Sequence, residues 1–79
     1  MINQPKVEVG TYIKVFFGIK GNRDVRVTRI AKSGRVYVQR AAKWGGYHKE
    51  RPVYWARRLG RWTIDKRWAE GGEFDGSTY

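Results

Sequence analysis

Seventy-nine residues allow one domain with a small core, and the absence of cysteine excludes disulfide staples and thiolate metal sites. Seventeen Lys and Arg against seven Asp and Glu give a net charge of +10, more than solubility requires of a small domain, which points to a polyanionic partner. No apolar run approaches the ~20 residues that span a bilayer, and Met1-Ile-Asn-Gln-Pro5 lacks the charged and apolar regions of a secretory leader, so a cytoplasmic protein without membrane contact is expected.

Residues 1–10 read as a loose lead-in, in which Pro5 blocks helix and Val7 and Val9 approach the first strand. In residues 11–18 a period of two places Ile13, Val15 and Phe17 on one side and Tyr12, Lys14 and Phe16 on the other. The alternation returns in residues 23–30, with Val25 and Val27 against Asp24, Arg26 and Thr28, and again in residues 34–40 with Val36 and Val38. Short turns carrying Gly or Asn, at residues 18–22 and 31–34, join the three strands into an antiparallel meander. Residues 41–52 break the pattern, and Gly45-Gly46 and Pro52 predict a loop or extended excursion of about ten residues with Trp44 and Tyr47 flanking the glycines.

Residues 53–57 and 61–65 are read as fourth and fifth strands around a turn at 58–60. A competing pattern exists, since Trp55, Leu59 and Trp62 are spaced as on a helix face. Gly60 costs about 1 kcal/mol inside a helix, and Trp62, Thr63 and Ile64 lean towards strand, so strand, turn, strand is favoured. Beyond them, Gly71-Gly72 and Gly76 accompany Glu70, Glu73 and Asp75. The predicted organisation is a barrel domain over residues 1–67 and an acidic, flexible tail over 68–79.

The segments Gly10-Thr-Tyr-Ile-Lys-Val15, Gly18-Ile-Lys-Gly21, Val25-Arg-Val27 and Gly34-Arg-Val-Tyr-Val38 resemble the KOW and Tudor-like branch of SH3-like barrels. Those modules open on a Gly-x-x-Val/Ile-x-Val strand, turn on a Gly-containing loop and continue as Val-x-Val. The resemblance covers residues 10–40 and implies an all-β, SH3-like small barrel of about five antiparallel strands, associated with nucleic acid or with the transcription and translation machinery. The Trp-rich second half matches no pattern of that branch.

The chain offers little for catalysis. His48 stands alone in a loop, four carboxylates lie outside the tail, and neither Ser33 nor Ser77 has a base beside it. Gly18-Ile-Lys-Gly-Asn22 lacks the helix-opening Lys-Ser/Thr of a phosphate loop. A non-enzymatic protein without cofactor or metal is expected.

Binding is better supported, because residues 12–67 hold sixteen cations against Asp24, Glu50 and Asp65. If the apolar positions point into a barrel, Tyr12, Lys14, Phe16, Arg26, Thr28, Arg35 and Tyr37 point outward and form a cationic and aromatic face, with aromatics to stack on bases and cations to neutralise phosphates. Alternatively the Trp-rich half covers that side and makes Tyr12, Phe16 and Tyr37 core. A second cluster is Arg51, Arg57, Arg58, Arg61, Lys66 and Arg67, whose guanidinium forks match phosphate or guanine edges. Trp44 and Tyr47 form a third, either an aromatic tip or a cap on the barrel end. The expected partner is nucleic acid, DNA ahead of RNA, bound without marked sequence choice by a monomer or weak dimer. The alternative is a small effector, of phage or mobile-element type, docking on an acidic host protein such as a transcription or DNA-processing enzyme.

Overall fold

The computed structural model describes residues 3–72 and Gly76. Among these residues, five strands follow one another, β1 Tyr12–Phe16, β2 Asn22–Ile30, β3 Val36–Gln39, β4 Arg51–Ala56 and β5 Arg61–Thr63, and then one helical turn, α1 Lys66–Ala69. They close into a barrel in the order β1-β2-β3-β4-β5. Successive strands pair antiparallel, while β1 and β5 close the barrel in parallel, with Val15 opposite Trp62 and Phe16 opposite Thr63. This refines the expected antiparallel set for a simple reason. In an up-and-down meander with an odd number of strands, the first and last run in the same direction.

The inward residues are those that the alternation picks out: Val15, Phe17, Val25, Val27, Val36 and Val38 are buried, and Ile13 packs against them half-covered. Val53, Trp62 and Ile64 complete the interior from β4, β5 and the segment beyond, and Trp55 meets Trp62 edge-on at 5.2 Å between ring centroids. Residues 57–60 form the expected turn between β4 and β5. Both Leu59 and Gly60 donate their N–H to the Ala56 carbonyl, at 3.0 and 2.8 Å, and the positive φ of Gly60, 66°, then reverses the chain. The helical spacing of Trp55, Leu59 and Trp62 thus reflects one tight turn rather than a helix.

Two expectations need correction, and β2 carries an irregularity beside them. Pro52 belongs to β4 rather than to the preceding loop: it sits opposite Tyr37, where β5 does not extend along β4, so its missing N–H breaks no rung on that side. In β2 a register shift between Val27 and Arg29 brings Arg29, not Thr28, opposite Tyr37. The boundary after Arg67 falls inside α1. Asp65 caps that turn by accepting the Arg67 N–H at 2.8 Å, and α1 packs against β4 and β5. Its Trp68 is buried at 4% exposure and lies against Phe16 at 5.4 Å between ring centroids, so it is core rather than tail. Of the expected flexible tail, residues 73–75 and 77–79 lie outside the described residues. Among the described residues, no helix is long and apolar enough to cross a membrane.

Candidate nucleic-acid interface

The strand ends nearest α1 gather four cations on one groove. Arg35 precedes β3, Arg57 and Arg58 occupy the β4–β5 turn, and Lys66 opens α1; together with Tyr54, Trp55 and Glu70 they line an open groove of about 790 Å3. The guanidinium carbon of Arg35 lies 5.3 Å from the Tyr54 ring centroid, which orients it along the groove wall. The Arg58 guanidinium lies over Gly71, where an added Cβ would come within 3.3 Å of it. Lys66 pairs with Glu70 at 3.6 Å, but both side chains are mostly exposed, and such a pair contributes ~0 to 1 kcal/mol, so it holds Lys66 only weakly. The Gln4 side-chain amide donates to the Gly34 carbonyl at 3.2 Å and holds the lead-in segment beside the groove.

Arg61 stands apart from its neighbours in sequence. It lines a second groove of about 490 Å3 with Lys14, and Trp55 forms a wall shared by both grooves. Its guanidinium carbon sits 4.2 Å from the Phe16 ring centroid. Phe16 is therefore enclosed between Arg61 and Trp68, which resolves its alternative readings in favour of packing. Tyr12, by contrast, is 65% exposed opposite Arg26, and Lys14 faces Asp24 on the next rung, so the outer surface of β1 and β2 alternates aromatic, cation and carboxylate.

Tyr37 is half-buried beneath the Arg29 guanidinium, 3.9 Å from its ring centroid, rather than open for stacking. Arg29 in turn donates to the Glu50 carboxylate at 3.0 and 3.2 Å, and the Thr28 hydroxyl donates to the other oxygen at 2.7 Å. The Thr28 hydroxyl and then Arg29 hold the Glu50 carboxyl below the usual carboxylate range, and Glu50 keeps Arg29 protonated more firmly still. Arg67 is likewise engaged: its Nε and terminal nitrogen grip both oxygens of the buried Asp65, the shortest contact being 2.7 Å.

The third surface lies at the other end of β4. Arg51 is six positions from Arg57, about 20 Å along a strand, so it does not join the Arg57 cluster. Opposite Val38 in register, it reaches the barrel mouth, where Arg40, His48, Lys49 and Arg51 surround a pocket of about 210 Å3 floored by Phe17, Val38 and Ile64. Arg40 holds its guanidinium carbon 5.5 Å from the Phe17 ring centroid and one terminal nitrogen 3.4 Å from Nε2 of His48.

From this mouth rises a hairpin in place of the expected loop. Ala41 bridges Tyr47, the His48 N–H donates to the Arg40 carbonyl at 2.9 Å and the Ala42 N–H to the Gly46 carbonyl at 3.0 Å. Gly45 and Gly46 take φ of 98° and 71° in succession, a reversal that residues with a Cβ rarely adopt. Trp44 at the tip is 91% exposed and Tyr47 51% exposed, so Trp44 does not cap the barrel. Sequence reasoning passed over Arg29, Arg40 and Lys49, because their neighbours are fixed by the bulge and by hairpin pairing rather than by strand alternation. Among the described residues, no group of three or more His, Cys, Asp or Glu is placed to hold a metal ion.

The fold and its surfaces define the class: a small all-β protein whose closed five-stranded barrel is compatible with an SH3-like fold and carries cations on three sides. In comparisons with protein-family models, curated proteins and solved structures, nothing matches this chain.

Proposed function

We propose that the protein is a non-enzymatic, KOW/Tudor-like barrel that acts in the cytoplasm by binding nucleic acid, duplex DNA ahead of RNA, through phosphate contacts with little sequence choice. The observation that carries this reading is the convergence of Arg35, Arg57, Arg58 and Lys66, from three separate elements, on one open groove. Exposed cations in a solvent-filled groove suit a hydrated polyphosphate, which releases counterions as it binds. Low specificity follows from α1, whose four residues make one turn, too short to read base edges from within the major groove.

The test is titration of Arg57→Ala and Arg58→Ala on two unrelated duplexes at two salt concentrations. Stability should change by no more than ~1 kcal/mol. Affinity should fall by a similar factor on both sequences, with the salt slope shallower by ~0.9 for each phosphate that is no longer neutralised. Affinity that persists at high salt with a slope near zero would defeat the proposal. A second reading, the effector that docks on an acidic host protein, is favoured by Trp44 alone, since a 91% exposed Trp on a structured hairpin resembles an interface anchor. Unchanged DNA binding in the arginine variants, with loss of a host-protein complex on Trp44→Ala, would select it.

A further inference from the structure

The groove beside α1 accounts for phosphate binding but leaves the pocket at the opposite end of the barrel unused. That pocket has two chemistries in one small space. Phe17, Val38 and Ile64, each no more than 4% exposed, form an apolar floor. Arg40, Lys49 and Arg51 stand at the rim with His48. An inorganic anion would use the rim and ignore the floor, and a neutral apolar group would use the floor and ignore the cationic rim. The complementary ligand joins a flat apolar ring to a nearby anion. At about 210 Å3 the pocket lies below the ~300 Å3 at which drug-sized sites begin, so it admits one ring system.

We infer that this pocket takes a single unpaired nucleotide of the bound nucleic acid, its base over Phe17, Val38 and Ile64 and its phosphate between Arg40, Lys49 and Arg51. The inference rests on the nucleic-acid reading and extends it from duplex phosphates to strand ends and unpaired positions. Arg40 covers the Phe17 ring from 5.5 Å, so a base enters by displacing a flexible, half-buried side chain rather than backbone. The hairpin that supplies Arg40 and His48 also carries Trp44 at its tip, 91% exposed. On the same hairpin as the rim residue Arg40, that exposed ring is available to stack on the base pair next to the extruded nucleotide, the arrangement of a wedge at a duplex end.

Two measurements on the full chain test this. Fluorescence anisotropy compares a blunt duplex with the same duplex bearing a three-nucleotide single-stranded overhang, and one stacked base should make the overhang bind roughly tenfold tighter. Arg40→Gln and Lys49→Gln should bring the two affinities together. Methyl NMR with a 5′-phosphorylated thymidine dinucleotide should shift Val38 and Ile64, whereas inorganic phosphate should leave them in place. Equal affinity for blunt and overhanging duplexes, with unmoved Val38 and Ile64 methyls, would overturn the pocket while leaving the duplex reading intact. Methyl shifts without any duplex binding would uphold the pocket and overturn the duplex reading.

Discussion

Trp68 stands after the last strand, in a stretch whose glycines and acids resemble a tail, yet it is a core residue, and replacing it measures how much the barrel depends on α1. A buried aromatic covers on the order of 150 to 250 Å2, and Trp→Ala in a core costs about 3 to 5 kcal/mol. At ~0.05 to 0.15 kcal/mol per residue, a 79-residue domain has about 4 to 12 kcal/mol in all. Trp68→Ala should therefore remove between about a quarter of the stability and all of it. Trp68→Phe, which keeps a ring against Phe16, should lose less and stay folded. Urea unfolding followed by far-ultraviolet circular dichroism gives the midpoints. A Trp68→Ala midpoint corresponding to less than about 1 kcal/mol of loss would refute the packing of α1 on the barrel.

Arg67→Ala should lower stability by about 1 to 3 kcal/mol, because it strips a two-pronged partner from the buried Asp65 carboxylate. The same variant should leave the salt slope of DNA binding unchanged, in contrast with Arg58→Ala; titration and urea unfolding of both variants make the comparison. Glu50 is expected to make part of the stability pH-dependent. Its carboxyl is held low in the folded chain, so the folded state takes up a proton less readily than the unfolded one. The contribution is complete above the usual carboxylate range and lost as pH falls through the lowered folded value. Acid unfolding of Glu50→Gln should accordingly show a shallower loss of stability over that interval than the parent chain, and identical profiles would remove the Thr28–Arg29–Glu50 linkage from the account.

The barrel was legible from residue 11 to residue 40 because Val15 and Phe17, Val25 and Val27, and Val36 and Val38 recur at a period of two and each turn carries a residue tolerant of tight reversal. Legibility failed where the third dimension supplies the information. Trp68 sits on a helix of one turn, which is too short to show a period. Arg51 and Arg57 look like one cluster in the chain, but an intervening strand carries them to opposite ends of the barrel. Arg67 and Arg58 have the same side chain and similar neighbours in sequence. Only the structure shows that one holds Asp65 while the other lies over Gly71. Arg29 owes its place over Tyr37 to a bulge, which shifts register without leaving a signature in composition. Three surfaces therefore replace the two clusters and aromatic tip inferred from sequence.

The parallel seam between β1 and β5 sets the order in which this chain becomes a protein. Val15 finds Trp62 only after nearly the whole barrel sequence has been made, and the rung cannot form early because its second half does not yet exist. Closing so long a loop costs chain entropy before any reward arrives. Folding should thus be limited by one late zippering event, on the millisecond-to-second scale of non-local β folds, rather than by the hairpins, which form in ~1 to 10 μs. Until then β1 presents an unpaired edge with Val15 and Phe17 uncovered, so the nascent chain is at its most aggregation-prone just before the last strand arrives.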